Sequence, residues 1–455
     1  MPVLRLGAAW PLSVVVLLVL PGCPAPTEKG DSARAQSEPI GCEDLTVGPR
    51  WVGAAADFWA CVGCPEFYEG DRADQPWWLT THLRIRVPKT MLGWSFGVLE
   101  AAGQRILLME GRRGEQAGLF GYQPEHAPAC LGEVEATDWT PPELVGSSTL
   151  WVLDSLGDAA LVRAHGAVQV VQWTGAEVMV VGAVPDTGRR DVAAILGSDE
   201  AGVSVAVAEP EGALGEWLCA AGAGCQRTGP MLAAETEVYG VIRPSPVDPV
   251  LLVKQAPAVP LLVPMRWSGA GGAHTLAELC REDWYFDDGS NPMLGAAICD
   301  VAGDGMRDDV VVSRQPDTPA GMVALSLQMP TGDERVGKSC EDAGWVRSVS
   351  SSFDSARRDV DCADYTRDGD QDVMLSAHQE SSAGFIATSR EDPTWWLVGF
   401  WWGDLWENSG LQASVAAQVD LVPFLHPDHP DVIIGAPEPH DEQPGFVAIY
   451  PWELP

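Results

Sequence analysis

Two short acidic stretches hold the residues of this chain best suited to chemistry. The first is Asp364-Tyr-Thr366-Arg-Asp368-Gly369-Asp370-Gln-Asp372. Acids at positions 1, 5 and 9, a hydroxyl at 3 and glycine at 6 fold oxygen ligands round a hard cation. The glycine permits the sharp turn that brings both ends together. Asp364, Asp368 and Asp372 would give carboxylates, Thr366 a hydroxyl and Asp370 its main-chain carbonyl. The second stretch, Asp300-Val-Ala302-Gly-Asp304-Gly305-Met306-Arg-Asp308, keeps the acids and the glycine. Ala302 replaces the hydroxyl, while Met306 keeps the carbonyl position, so the loss of one ligand should weaken binding there. The competing reading makes both stretches acidic turns whose side chains cap their own backbone. An EF-hand is excluded, since Leu375 stands where its bidentate Glu belongs and a strand-like run follows. The expected cofactor is structural Ca2+, at one or two sites.

Other candidate groups carry less. His426, His429 and His440 lie close together, but Pro427 and Pro430 interrupt them and no helix presents them, which favours a solvated loop. Five of the 19 Trp fall in Thr394–Trp406, as Trp395, Trp396, Trp401, Trp402 and Trp406. Such density suits a sugar platform or a protein contact, but alternation along a strand sends part of it into the core. Trp77 and Trp78 invite the same discount. Cys61-Val-Gly-Cys64 has no second CxxC and no βαβ pattern around it, so a disulfide is favoured over redox or zinc chemistry. No HExxH or dinucleotide fingerprint occurs, and the chain is expected not to be an enzyme.

The elements that position the acidic loops repeat. Each unit is an acidic residue, a run of apolar positions, a polar turn, then a second apolar strand that mostly opens on glycine. Copies are Asp431-Val-Ile-Ile-Gly-Ala with Gly445-Phe-Val-Ala-Ile-Tyr, Asp372-Val-Met-Leu with Gly384-Phe-Ile-Ala, and Asp309-Val-Val-Val with Gly321-Met-Val-Ala. Weaker ones are Asp248-Pro-Val-Leu-Leu-Val with Val259-Pro-Leu-Leu-Val, Asp191-Val-Ala-Ala-Ile-Leu with Gly202-Val-Ser-Val, Asp158-Ala-Ala-Leu-Val with Gly166-Ala-Val-Gln, and Arg105-Ile-Leu-Leu-Met with Gly118-Leu-Phe. From Val192 on, the units recur at roughly sixty residues, enough for one four-stranded antiparallel sheet each. The step from Ala159 to Val192 is about half of that, so either one sheet is reduced or two hairpins share one. Doubly apolar runs such as Val310-Val-Val and Val432-Ile-Ile fit strands buried on both faces.

The acid-opened hairpin Asp431–Tyr450 and the nine-position loop feeding a strand resemble FG-GAP repeats, the unit of integrin-α-type and bacterial VCBS-like β-propellers. The resemblance spans about residues 95–455 and is strongest in the last three units. It implies an all-β propeller of four-stranded blades, seven by count with six as the alternative, and calcium-binding loops. In such rings an N-terminal strand often completes the last blade, and Leu45–Trp59 is the expected segment.

Length, composition and the N-terminus bound the rest. The 455 residues are 46% hydrophobic with 48 Gly and 36 Pro, which suits many short strands and turns. Sixty-four acids against 28 bases give a net charge of −36, which excludes nucleic acid and charge-driven docking on anionic lipid. That balance suits cation binding, or simply a solvated acidic surface. Arg5 and the apolar run Leu6–Leu20 read as a signal peptide over 1–22, and Leu20-Pro21-Gly22-Cys23 resembles a bacterial lipobox with Cys23 lipidated. Residues 23–44 then form the lipidated Cys and a flexible tether, and 45–455 the propeller. Of 11 Cys, lipid on Cys23 leaves an even ten. Short loops favour Cys61–Cys64, Cys219–Cys225, Cys280–Cys299 and Cys340–Cys362, leaving Cys42–Cys130.

The expected function is a non-catalytic binding scaffold anchored to the bacterial envelope, at the outer membrane, facing the periplasm or the exterior. Its membrane partner would be met through the lipid, and its ligand would be a protein or a glycan. The alternative is a carbohydrate-active or other hydrolytic propeller with a Trp-lined site.

Overall fold

The computed structural model describes residues 83–124, 133–185, 193–209 and 213–232, and from 238 to 450 mainly the strands. All of these belong to the compact unit Cys42–Pro455. Among the described residues there is no α-helix, only a 3-10 turn at Pro142–Leu144. The described chain opens with β1 (Leu83–Arg86), followed by β2 (Met91–Ala101), β3 (Gln104–Arg113), β4 (Gln116–Tyr122), β5 (Glu133–Glu135) and β6 (Thr137–Asp138). The antiparallel first sheet is β2-β3-β4-β6. The second takes β7 (Leu150–Leu156), β8 (Ala159–Ala164), β9 (Ala167–Trp173) and β10 (Val178–Pro185) in simple succession. The third has β11 (Ala193–Asp199), β12 (Gly202–Ala208), β13 (Leu214–Ala220) and β14 (Gly224–Leu232).

The succession continues to the end of the chain. The fourth sheet is β15 (Val238–Ile242), β16 (Val250–Gln255), β17 (Leu261–Ser268) and β18 (Thr275–Glu278). The fifth is β19 (Ala296–Cys299), β20 (Asp309–Arg314), β21 (Val323–Gln328) and β22 (Trp345–Ser350). The sixth is β23 (Val360–Ala363), β24 (Asp372–Ala377), β25 (Ser382–Ser389) and β26 (Asp392–Phe400). A two-stranded ribbon joins β27 (Ala413–Ser414) to β30 (Glu438–Pro439). The seventh sheet runs β28-β29-β31-β1-β5, with β28 (Val419–Val422), β29 (Asp431–Ala436) and β31 (Phe446–Tyr450).

Local sequence explains the hairpins. The two-residue turns Ala102-Gly103 and His165-Gly166 have positive φ at both residues (52° and 74°, 52° and 72°). That is the turn whose twist matches paired strands, and a glycine at its second place lowers the steric cost.

β3 and β8 are buried on both faces, and each face meets a different sheet. On β3, Leu107 and Met109 join a core with Ile433, Val447 and Ile449 of the seventh sheet. Ile106 and Leu108, pointing the other way, join a core with Ala160, Val162 and Ala164 of the second. On β8 the alternate residues Ala159 and Leu161 pack with Ile195, Val203 and Val205 of the third. Each fully buried Leu or Ile is worth about 1.5–3 kcal/mol, so the stacking of sheets is the main source of stability. First strands adjoin: β2 lies beside β7, β7 beside β11, β11 beside β15, β19 beside β23, and β23 beside β28, while β2 also meets β29, the second strand of the seventh sheet. Sheets of four antiparallel strands, stacked face to face with their first strands together, make a β-propeller.

Two expectations are corrected. The hairpins opening near Ala159 and Val192 neither share a sheet nor mark a reduced one; they lie in separate four-stranded sheets. The half step arises because the Asp158 unit is the second and third strands of its sheet, whereas the Asp191 unit is the first and second of the next. The N-terminal strand that completes the last sheet is β1, Leu83–Arg86, pairing antiparallel with β31 from Leu83↔Ile449 to Arg86↔Phe446. The expected Leu45–Trp59 lies outside the described residues.

Candidate functional site

The first strands of the first four sheets are irregular in the same way. Ladder pairing is interrupted between Leu92 and Phe96 in β2, Val152 and Asp154 in β7, Ile195 and Gly197 in β11, and Val238 and Gly240 in β15. A bulge takes main-chain groups out of the ladder and needs another partner for them. Beside three of these bulges a ladder residue is also bound by a side chain of the preceding sheet. Gln418, just before β28, accepts the Phe96 N–H at its Oε1 (2.8 Å) and donates its Nε2 to the Phe96 carbonyl (2.9 Å). Ser95 Oγ accepts the Val152 N–H at 2.8 Å, and Asp154 Oδ2 accepts the Ile195 N–H at 2.8 Å. Three consecutive joints, from the seventh sheet to the third, are therefore fastened by an amide, a hydroxyl and a carboxylate in turn.

Further polar contacts reinforce these joints. Asp158, in the β7–β8 turn, accepts from Gln172 Nε2 of its own sheet (2.6 Å) and from Ser198 Oγ of the third (3.0 Å). Arg105 pairs with Glu100 at 2.9 Å and donates to the Pro423 carbonyl at 2.6 Å, tying the first sheet to a loop of the seventh. Close approach also demands glycine at these joints. A Cβ on Gly97 would lie 2.7 Å from Ser155 Oγ, and one on Gly435 would run into the Gly93 carbonyl oxygen. The half-buried Trp94 and Trp151, on β2 and β7, meet edge to face with centroids 6.0 Å apart.

Most of the acidic loops, Asp300–Asp308 and Asp364–Asp370, lies outside the described residues; the strands they join are described. Eight residues separate Ala363 from its ladder partner Asp372, and eight separate Val422 from Asp431. Asp372 and Asp431 thus hold the same register position, each opening the second strand of its sheet. Cys299 pairs with Asp309, so in the fifth sheet the strand-opening acid is Asp309, one residue beyond Asp308. What such an acid does is visible at Asp431. It is fully buried, and its Oδ2 accepts the N–H groups of Phe424 (3.0 Å) and Leu425 (2.6 Å), folding the loop back on the strand. Beside that loop the Tyr122 ring tilts against Phe424 at 6.3 Å, and burial raises the Tyr122 phenol above its ordinary 10.0.

Other sequence candidates fall as follows. Cys219 and Cys225 form a disulfide across β13 and β14, as expected, and Cys362 is disulfide-bonded too. Cys299 closes β19. Cys23, Cys42, Cys61, Cys64, Cys130, Cys280, Cys340, the three His, Trp77 and Trp78 lie outside the described residues. Trp395 and Trp396 are on β26, the outermost strand of its sheet, and Trp401, Trp402 and Trp406 lie outside the described residues. Sequence reasoning missed Ser95, Asp154 and Gln418. Nothing marks them, since three residue types do one job.

The chain belongs by its sheets to the β-propeller class. No protein-family model matches it, and no curated protein does. Solved structures with a similar fold include a protein described as a 6-phosphogluconolactonase from Bacteroides fragilis (8% identity, TM-score 0.42, covering 66% of this chain and 82% of that one). AofleA from Arthrobotrys oligospora (13%, 0.41, 73% and 92%) and a prolyl endopeptidase (12%, 0.43, 76% and 46%) are others. The fold assignment rests on the chain's own strand pairing, and none of these proteins' activities is carried over.

Proposed function

We propose that this chain is a lipid-anchored, extracytoplasmic propeller of FG-GAP/VCBS-like repeats that acts as a non-catalytic scaffold for a protein or glycan partner. Calcium in the Asp364–Asp372 loop, and more weakly in Asp300–Asp308, would brace it at the bacterial outer membrane. The observation that carries this reading is how the polar side chains of the first strands are employed. Gln418, Ser95 and Asp154 each bind the main chain of the next sheet, which is the work of holding a ring together. The Asp431 loop supports the calcium role, because a buried acid in the register of Asp372 already gathers a loop round itself. The Cys219–Cys225 bond supports an oxidising compartment. The hydrolytic alternative needs the Thr394–Trp406 segment at the axis, whereas β26 is the outermost strand of its sheet.

Two measurements test this. Expressed from its own start codon in a Gram-negative host, the protein should fractionate with membranes and carry a diacylglyceryl mass on Cys23, and Cys23→Ser should release it. Calorimetry should find calcium uptake that Asp368→Asn weakens at least about tenfold, given the loss of one ligand charge. A soluble, unlipidated wild type, or a melting temperature indifferent to EDTA, would remove the anchor or the metal respectively.

A further inference from the structure

The Cys219–Cys225 disulfide has little to do within its own hairpin. Its two residues are direct ladder partners only six apart, and the pair Ala220↔Gly224 lies inside them. The turn is further held by the Ala223 N–H on the Ala220 carbonyl (3.0 Å), with Gly222 and Gly224 at φ 76° and 70°. A cross-link round so short and already closed a loop removes little chain entropy. The bond's other face touches a different sheet. A Cβ on Gly182 of β10 would lie 2.6 Å from Cys225 Sγ and 2.8 Å from the Cys225 nitrogen. Gly182 sits where the β10–β9 pairing shifts, between Val180 and Gly182, so the bulge in the outermost strand of the second sheet makes a hollow that the sulfur fills. Cys219 is fully buried in the core that Val181 and Val184 of β10 also enter, and half-buried Cys225 packs on its margin.

We infer that this disulfide is a latch between sheets. It fastens the outer edges of the second and third sheets, and reduction releases β10 as well as its own hairpin. The inner edge of the same joint is held separately, by Asp154 on the Ile195 N–H and Asp158 on Ser198. A phosphine or dithiol reductant supplies two electrons and, with two protons from water, leaves two thiols. Once cut free, Cys225 Sγ no longer has to fill the Gly182 hollow, and β10 loses that packing, as it does when both sulfurs are removed. With the inner edge still fastened, the outer edge opens.

The test is hydrogen exchange by mass spectrometry on the full chain, comparing wild type with Cys219→Ala/Cys225→Ala. Amides of Met179–Pro185 should exchange about tenfold faster in the variant while β8 and β12 keep their protection, the signature of a local opening. Unchanged β10, or protection lost evenly across β8, β10 and β12, would overturn the latch. Wild type treated briefly with a phosphine and read at the same peptides gives an independent route should the double variant not fold. There too, faster exchange confined to the β13–β14 hairpin would refute the idea.

Discussion

Gln418 offers the sharpest test of how the ring is held. Its amide satisfies both main-chain groups of Phe96, a residue 2% exposed, across the joint between the seventh and first sheets. Gln418→Ala removes both bonds at once. An unpaired buried main-chain group costs about 1–3 kcal/mol, and partial relaxation brings the pair to about 2–4 kcal/mol. Gln418→Glu keeps the shape but sets a carboxylate oxygen against the Phe96 carbonyl, acceptor facing acceptor, so it should lose at least as much as alanine. Urea unfolding followed by tryptophan fluorescence reads the difference. With slopes near 3 kcal/mol/M the midpoint should fall by about 1 M in both variants. If Gln418→Glu unfolds with the wild type, or alanine shifts the midpoint by less than about 0.2 M, the fastening at this joint is not what holds Phe96.

Three further outcomes follow from other joints. Asp154→Ala should cost about 1.5–3 kcal/mol and Asp154→Asn under about 1 kcal/mol, because the amide still accepts the Ile195 N–H; equal losses in denaturant melts would contradict this. Gly435→Ala drives a methyl toward the Gly93 carbonyl between the seventh and first sheets, and should lower stability by about 1–3 kcal/mol by thermal unfolding. Tyr122 ionises later in the folded chain than unfolded, so the stability it lends is full below pH 10.0 and is lost as the pH climbs from there through its raised folded-state value. Ultraviolet titration of wild type against Tyr122→Phe should show one phenol missing from the late-titrating group.

Strands buried on both faces are readable in the sequence, because they write their burial as unbroken runs such as Ala159-Ala-Leu-Val and Val432-Ile-Ile. First strands are harder. The bulges in β2, β7 and β11 break the alternation that would reveal them, which is why pattern alone misplaces the Asp191 hairpin in its sheet. The fasteners are not readable at all, since a freed N–H will take an amide, a hydroxyl or a carboxylate equally well. The closing strand lies later in the chain than the expected Leu45–Trp59. Leu83-Arg-Ile-Arg86 is four residues long and carries two arginines that suggest surface. Both guanidinium groups instead stand 5.4 Å from the Phe446 ring, and the register sets them opposite Glu133 and Glu135.

The placing of β1 has a mechanical consequence. This first described strand lies between β31, antiparallel, and β5, parallel. Tension arriving from the N-terminal side therefore pulls along β1, across hydrogen bonds that run perpendicular to it on the β31 side and slanted on the β5 side. The bonds on both flanks then bear the load together in shear and do not open one at a time as in a peeled hairpin. A pull on that end would be resisted at the very strand that completes the last sheet.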